Sequence, residues 1–189
     1  MNANQRTRCV AWIVGVTVVM VTILRAMRRT WWCACGRPVP WAWDIWTSHA
    51  SQHLIDPYFF SHVLHGLIFF AALNLLTKVP THVKWILATV IEAGWEILEN
   101  SPIIINRYRE GTISLDYFGD SIANSIFDVI ACLLGYAFAS RVRPLTAIAF
   151  FLVVELVLLV TIRDCLTLNV IMLVSPVEAI KEWQSAGVS

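Results

Sequence analysis

The fold of this chain is decided by residues 91–135, which read IEAGWEILENSPIIINRYREGTISLDYFGDSIANSIFDVIACLLG. Two sets of polar residues recur at helical spacing inside this otherwise apolar stretch. The first set is Glu92, Glu96 and Glu99, and the second set is Asp116, Asp120, Asn124 and Asp128. Residues three or four positions apart lie on the same side of a helix, so each set follows one side of its helix.

The composition indicates a membrane protein. Of the 189 residues, 58% are hydrophobic and 14% are charged, whereas soluble domains have about 45–50% and about 25%. A carboxylate near the centre of a membrane span costs about 2.5–3.5 kcal/mol, so we expect the two polar helix sides to face each other rather than lipid. The net charge is +1, and with no nucleic-acid-binding motif present we expect no nucleic acid partner.

The hydropathy pattern predicts about five transmembrane helices. They fall at about residues 9–27, 59–76, 83–99, 117–139 and 145–162. Arg25, Arg28 and Arg29 follow the first apolar run where a signal peptide would have small residues, so we interpret it as an uncleaved anchor. Glu155 stands alone in the fifth span, and we expect it to bind a basic or polar group of another helix.

The chain after the fifth span predicts a tail at the membrane surface. Residues 166–174 are apolar but too few to cross a bilayer. Ser175–Pro176–Val177–Glu178 is a capping-box signature, and the helix that it starts should run to about Gln184 and lie in the interface. The predicted fold is therefore all-α: an integral membrane bundle with an interfacial C-terminal helix, in a single domain over residues 1–189.

Alternating directions of the spans gather the polar residues on one side of the membrane. The starts of the second and fourth spans and the ends of the third and fifth share that side. The residues placed there include His53, Asp56, His62, His65, Glu96, Glu99, Asp120, Asn124 and Asp164. Residues 30–57 carry five of the nine tryptophans, which favours a segment at the membrane surface that covers this pocket. The count of basic residues in the loops alone favours an outside N-terminus. Because Arg107, Arg109 and Arg163 are expected to belong to the site, we instead interpret the N-terminus as inside and the pocket as outside.

A series of short motifs carries a family resemblance. They are Cys35–Gly36, Ser51–Gln52–His53, Asp56–x–Tyr58, His62–x–x–His65–Gly66, Glu92–x–x–x–Glu96–x–x–Glu99–Asn100–Ser101–Pro102, Asn106–Arg107–Tyr108–Arg109, Asp116–Tyr117–x–Gly119–Asp120–Ser121, Asn124–Ser125, Asp128 and Arg163–Asp164–x–Leu166–Thr167–Leu168–Asn169. The pattern resembles an uncharacterised bacterial family of multi-pass proteins of the inner (cell) membrane. More distantly, the order of acid, histidine, arginine and asparagine is similar to that of VanZ-like membrane proteins. The resemblance implies a fold and a location but no reaction.

The candidate functional residues are the polar groups of this pocket. Catalytic candidates are His62, His65, Glu96, Glu99 and Asp120, and candidates for binding substrate are Arg107, Arg109, Asn124, His53 and Asp56. His62, His65 and Glu96 are also candidate ligands of a divalent metal, because imidazole and carboxylate together suit such an ion. Arginines suit phosphate, and membrane lipid is the expected partner, so the pattern favours binding of, or action on, a phosphorylated lipid headgroup.

Two other function classes stay open. A structural membrane protein would use the same polar residues only to hold its helices together, and a small transporter would also carry acidic residues in its bundle. Arg107 or Arg109 is expected to pair with Glu99, Asp116 or Asp120, because clustered carboxylates otherwise repel one another.

The five cysteines carry little weight in this interpretation. They are Cys9, Cys33, Cys35, Cys132 and Cys165. Their number is odd, they show no paired metal-ligand spacing, and Cys33 and Cys35 are too close in sequence for a relaxed disulfide.

Overall fold

The computed structural model describes residues 2–112 and 117–186 and forms α-helices in both parts. The helices are α1 Ala3–Ala26, α2 Tyr58–Asn74, α3 Thr81–Glu99, α4 Pro102–Gly111, α5 Ile122–Ala139, α6 Pro144–Ile162, α7 Leu166–Val174 and α8 Glu178–Ser185. Within these residues the only β-type pairing is an isolated parallel bridge between Trp41 and Ile55. The predicted all-α class is confirmed.

Each of the five predicted spans contains a helix, but these helices differ in length and in polarity. α1, α5 and α6 are long and apolar enough to cross a membrane. α2 is apolar but has only 17 residues, and α3 carries Lys84 and three glutamates. The structure therefore supports a helical membrane protein, and the count of five spans stays a prediction.

The fourth of these helices begins later than predicted. α5 starts at Ile122 rather than at residue 117, because Ser121 is its N-cap and its hydroxyl accepts a hydrogen bond from the Asn124 backbone N–H at 3.1 Å. Just before it, Gly119 has a φ of +95°, a conformation that glycine adopts without steric cost. Asp116, the first member of the second polar set, lies outside the described residues.

The closest packing in the bundle joins α2 and α5 through two glycines. A Cβ atom on Gly66 would lie 2.0 Å from the carbonyl oxygen of Cys132, and one on Gly135 would lie 1.9 Å from that of Val63. The two backbones are thus in direct contact, as small residues allow in membrane helix pairs. This contact brings the polar residues of α2 close to those of α5.

The two ends of the bundle differ in character. One end is formed by the last turns of α2 and α5 and the first turns of α3. There an apolar cluster consists of Leu73, Ala88 and Tyr136 with the surrounding aromatic rings. The rings of Trp85 and Tyr136 have centroids 4.6 Å apart. The polar residues collect at the opposite end, as the alternating directions of the helices predict.

The loop between α1 and α2, residues 27–57, folds over the polar end and is called the covering loop below. It is fixed to the start of α5, where the backbone N–H groups of Ser121 and Ile122 donate to the carbonyls of Ser51 and Thr30 at 2.9 and 2.8 Å. The predicted covering role of this segment is confirmed.

The C-terminal part of the chain closes the same end. α7 is attached to α6, where the Glu155 carboxylate accepts hydrogen bonds from the backbone N–H groups of Leu166 and Thr167 at 2.9 and 3.1 Å. Glu155 therefore binds polar groups of another helix, as expected. The predicted capping box is wrong, because α8 begins only at Glu178 and its N-cap Val177 provides no side-chain hydrogen bond.

Candidate functional site

A cavity of about 710 Å³ lies between the covering loop and the polar ends of α2, α3 and α5. The polar side chains lining it include His62, His65, Glu99, Asp120, Asn124, Asp128, Tyr58, Tyr108, Tyr117, Asn169 and Lys181. Ser48 of the covering loop and Ser185 of α8 both line it, so these two segments lie at the same end of the bundle; that they lie on the same side of the membrane stays a prediction. A cavity of this size suits a small-molecule ligand.

The Glu92 carboxylate binds both histidines of α2. Glu92 Oε1 lies 2.6 Å from His62 Nδ1, and its two oxygens lie 3.2 and 3.1 Å from His65 Nδ1. The Glu92 side chain has no exposed surface, and the two imidazole rings pack edge to face with centroids 5.0 Å apart. Because one carboxylate orients both rings, the histidines are held in place before any ligand arrives.

Two further carboxylates lie next to His62 without such support. His62 Nδ1 is 3.4 Å from Glu96 Oε1, and His62 Nε2 is 3.9 Å from Asp128 Oδ2. Both oxygens of Glu96 and the Oδ1 atom of Asp128 are buried and accept no hydrogen bond from any described residue. A buried carboxylate without hydrogen bonds is costly, so these atoms mark a place where a cation would be stabilised.

Glu99 lies at the cavity end of α3. Its Oε1 atom is 3.0 Å from the hydroxyl of Tyr108, which is also 3.0 Å from Asn169 Oδ1. Tyr108 belongs to α4 and Asn169 to α7, so Glu99 connects α3 with both short helices.

Asp120 is held by hydrogen bonds from two neighbours. Its Oδ2 atom accepts from Asn100 Nδ2 at 2.7 Å and its Oδ1 atom from the hydroxyl of Tyr117 at 2.9 Å, while its backbone N–H donates to Asn100 Oδ1 at 2.7 Å. Burial raises the pKa of Asp120 to about 6, although the hydrogen bonds from Tyr117 and Asn100 act in the opposite direction. Asp120 is therefore a group that changes protonation near physiological pH.

Two sets of three side chains have the spacing of metal ligands. They are His62 with His65 and Glu92, and His62 with Glu96 and Glu99; within each set the donor atoms lie within 4.8 Å of one another. Imidazole and carboxylate donors suit divalent ions of the first transition series. His62 belongs to both sets, so it is the centre of the polar cluster.

The structure brings together the predicted catalytic residues. His62, His65, Glu99 and Asp120 line the cavity, and Glu96 lies directly behind His62. Asn124 also lines the cavity, but its side-chain amide donates to the backbone carbonyl of His53 at 2.9 Å.

Four residues predicted to bind substrate are located elsewhere: Arg107, Arg109, His53 and Asp56 are not among the described residues that line the cavity. Asp56 accepts hydrogen bonds from the backbone N–H groups of Ser51 and Phe59 at 2.9 and 3.0 Å and so fixes the start of α2. His53 packs among residues of the covering loop, with its ring 5.4 Å from that of Trp32.

Arg107 is not the arginine that pairs with a carboxylate among the described residues, and the alternative, pairing by Arg109, stays a prediction. The Arg107 guanidinium donates to the carbonyl oxygens of Leu173 and Val174 at 2.7 and 3.0 Å. Those are carbonyls at the C-terminal end of α7, which attract a positive charge because they lack partners within the helix. Among the described residues that line the cavity, Lys181 is the only lysine or arginine.

Sequence reasoning missed several residues that line the cavity or hold its histidines in place. Glu92 and Asp128 were recognised on the polar helix sides but were not assigned to the site. The available signal was their spacing, because Glu92 is four residues from Glu96 and Asp128 is four residues from Asn124. Tyr108 and Lys181 reach the cavity from α4 and α8, and no periodic pattern indicates that these short helices fold back onto the bundle.

Comparison with known proteins gives a consistent result. Residues 24–186 match the model of a family described as a protein of unknown function (DUF2585). A UPF0314 protein of Rhizobium meliloti (strain 1021) is 46% identical over 189 residues, covering 98% of this chain and 95% of the relative. A UPF0314 protein of Sphingopyxis alaskensis is 44% identical over 181 residues, with 93% and 95% covered. No solved structure matches significantly.

Proposed function

The chain belongs to the DUF2585 family of proteins of unknown function, and we propose that it is a bacterial inner-membrane enzyme that acts on a phosphorylated lipid headgroup with the help of a divalent metal ion. The observation that carries this proposal is that the buried Glu96 carboxylate beside His62 accepts no hydrogen bond from any described residue. A bundle that used its polar residues only for packing would pair them, because a buried carboxylate without a partner destabilises the fold.

The metal would be held by His62, Glu96 and Glu99, whose donor atoms already lie within 4.8 Å of one another. When bound, such an ion neutralises negative charge on a phosphate and activates water. It also explains how an anionic substrate enters a cavity lined by several carboxylates and one lysine.

The cavity wall suits a substrate that stays in the membrane. Phe69 of α2 and Ile91 and Trp95 of α3 line the cavity between these helices, and Ile91 is also 44% exposed on the outer surface. Acyl chains of a lipid would lie against this apolar side, while the headgroup extends to the histidines and carboxylates. Lys181 then attracts an anionic headgroup from the covering-loop side.

His65 is the group best placed for proton transfer. Its Nδ1 atom is held by Glu92, which leaves Nε2 as the nitrogen that exchanges a proton at the cavity, as in other oriented imidazole bases. In hydrolysis, the water oxygen bonds to phosphorus as the bond to the leaving oxygen breaks. His65 takes the proton of the water and then gives it to the leaving oxygen, so that the imidazole is neutral again at the end of the reaction. A transfer reaction would use an alcohol in place of water.

A transport function has less support from the packing. The cavity ends within the polar half of the bundle, and the other half is filled by the apolar cluster around Leu73, Ala88 and Tyr136. A transporter would need a polar path through that cluster.

The proposal is tested with the purified full chain in vesicles of bacterial phospholipids, with Mn²⁺, Mg²⁺ or Zn²⁺ added in turn. Mass spectrometry would follow the release or exchange of headgroups. We expect turnover by the wild type, a loss of about 10²-fold or more in His65→Ala and Glu96→Gln, and no change in Glu182→Gln, whose side chain is exposed on α8. Equal activity in all variants, or no turnover with any of the metals, would instead support a structural role for the polar residues.

A further inference from the structure

A second cluster of potential metal ligands lies outside the cavity, in the covering loop. Cys33, Cys35, His49 and His53 have donor atoms that all lie within 4.8 Å of one another. Cys33 Sγ is 3.1 Å from His49 Nδ1, and Cys35 Sγ is 3.8 Å from His53 Nε2. Both cysteines are free thiols.

We propose that Cys33, Cys35, His49 and His53 bind one zinc ion in a tetrahedral Cys₂His₂ site. Zinc binds thiolate sulfur at about 2.3 Å and imidazole nitrogen at about 2.0–2.1 Å, which places tetrahedral donors roughly 3.3–3.8 Å apart. The distance between Cys35 Sγ and His53 Nε2, 3.8 Å, lies within that range, and the distance between Cys33 Sγ and His49 Nδ1, 3.1 Å, is slightly shorter, so a small movement of the exposed His49 ring would complete the site. Four protein ligands leave no open position, so this is a structural site rather than a catalytic one.

The backbone around the cysteines directs both thiols to the same side. A turn is closed by the hydrogen bond from the Gly36 N–H to the Cys33 carbonyl at 3.1 Å, and Gly36 adopts a φ of +65°. The Cys35 backbone N–H lies 3.4 Å from Cys33 Sγ and donates to it. Such N–H groups stabilise the negative charge that a thiolate carries when it binds metal.

The buried histidine is oriented as a ligand. His53 Nδ1 contacts the carbonyl oxygen of Val39, and a ring that donates from Nδ1 presents the lone pair of Nε2, the atom that faces Cys35. Metal-bound histidines commonly donate their other nitrogen to a carbonyl or carboxylate in this way.

The zinc ion would cross-link two parts of the covering loop that lie 14 or more residues apart in sequence. The second part continues into Ser51 and Gln52, which line the cavity and which hydrogen-bond to Ser121 and Gly119 at the start of α5. The site would therefore fix the wall of the cavity without contacting a substrate. It does not depend on the proposed enzymatic activity.

The pattern Cys–x–Cys followed by His–x₃–His was present in the sequence. His–x₃–His is a spacing found in zinc sites, but His49 and His53 lie in an irregular loop that has no helical or strand periodicity. Their approach to the cysteines depends on the turn at Gly36 and on the attachment of the loop to α5, and neither is visible in the sequence.

The test uses the full chain purified in detergent, with Zn²⁺ or Co²⁺ as the only added metal. Zinc is counted by elemental analysis, and cobalt is followed by the thiolate-to-metal absorption band, which only a cysteine ligand produces. We expect one thiolate-bound ion per chain, counted from this band, in the wild type, Cys9→Ser and His65→Ala. In Cys35→Ser we expect loss of the band and of one zinc ion per chain relative to the wild type. His49→Ala, at an exposed position, should weaken zinc binding at least about tenfold, and His49→Cys should restore it with a stronger band.

A second test needs only the wild type, so its result does not depend on whether the variants fold. Bound zinc should protect Cys33 and Cys35 from alkylation by a maleimide, and a chelator should remove that protection. The proposal is overturned if the wild type gives no thiolate band and no protection, or if Cys35→Ser and His49→Ala keep the zinc and the band of the wild type. Retention of the band in His65→Ala separates this site from the one proposed in the cavity.

Discussion

His62 of α2 and Glu92 of α3 are joined by a contact of 2.6 Å between Nδ1 and Oε1, while Glu96, one turn further along α3, receives no hydrogen bond from any described residue. The two glutamates are both fully buried, and they differ only in their partners. We infer that Glu92 orients the histidines and that Glu96 is kept available for a ligand.

This difference predicts opposite effects of two matched substitutions on stability. Glu92→Gln should lower the free energy of unfolding of the metal-free protein by about 3–5 kcal/mol, because it removes one partner of a buried ion pair. Glu96→Gln should be neutral or stabilising, because it removes a buried carboxylate that accepts no hydrogen bond from any described residue. Thermal unfolding in detergent, followed by the fluorescence of the tryptophans, measures both. Equal destabilisation by the two substitutions would contradict the assignment of roles.

Arg107 should matter for stability through α7. Arg107→Ala removes the hydrogen bonds to the carbonyls of Leu173 and Val174, and hydrogen bonds to charged groups contribute about 1.5–3 kcal/mol each. The control is Arg141→Ala, since Arg141 is exposed just after α5 and its side chain donates only to the Ala137 carbonyl of α5 among the contacts described. We expect Arg107→Ala to lower the Tm clearly, and Arg141→Ala to lower it by less than a third of that amount. Equal tolerance would mean that α7 is held by other contacts.

The parts of the site that follow helical periodicity were predictable from the sequence. The spacing of Glu92, Glu96 and Glu99 identified the buried side of α3, and the alternation of helix directions placed it beside His62 and His65. The periodicity works because a helix has a fixed rotation per residue.

Contacts that depend on loops and short helices were not predictable. Arg107 or Arg109 was expected to pair with a carboxylate because clustered carboxylates repel one another. The partners of Arg107 are instead backbone carbonyls at the end of α7, and such free carbonyls occur at the end of every helix. Lys181 and Tyr108 enter the cavity because α8 and α4 fold back over it. The sequence predicts a surface tail and a polar connection there, but not the direction in which either one folds.

Asp164 should make stability depend on pH. Burial raises its pKa from 3.8 to about 6, although the backbone N–H of Cys165 and the side chains of Tyr58 and Gln184 donate to it. Because the folded state binds the proton more tightly than the unfolded state, the contribution of Asp164 is fully present below about pH 4. It is lost as the pH rises through about 6, and amounts to about 3 kcal/mol.

The variant Asp164→Asn isolates this contribution, because asparagine resembles the protonated acid. Between pH 4 and pH 7 the Tm of the wild type should fall relative to that of the variant. Parallel curves for the two proteins would show that Asp164 keeps its usual pKa in the folded state.

The arrangement of the ends of the chain predicts the result of cysteine labelling in membrane vesicles. Ser48 and Ser185 line the same cavity, whereas Thr81 begins α3 at the other end of the bundle. Cysteines introduced at positions 48 and 185 should react with an impermeant maleimide from the same side of the membrane, and one at position 81 from the opposite side. The unsubstituted chain supplies the background labelling. Reaction of positions 48 and 185 from opposite sides would contradict the shared cavity.

The central claim, that the carboxylates next to His62 hold a divalent ion, is tested most directly by titrating Mn²⁺ into the purified chain and following the free ion by electron paramagnetic resonance. Mn²⁺ prefers carboxylate to thiolate ligands, so the covering loop does not compete for it. We expect the wild type to bind one ion per chain, and both His62→Ala and Glu96→Gln to bind it at least about tenfold more weakly, with Glu182→Gln unchanged. The claim is contradicted if the wild type binds no Mn²⁺, or if Glu96→Gln remains folded and binds it as tightly as the wild type.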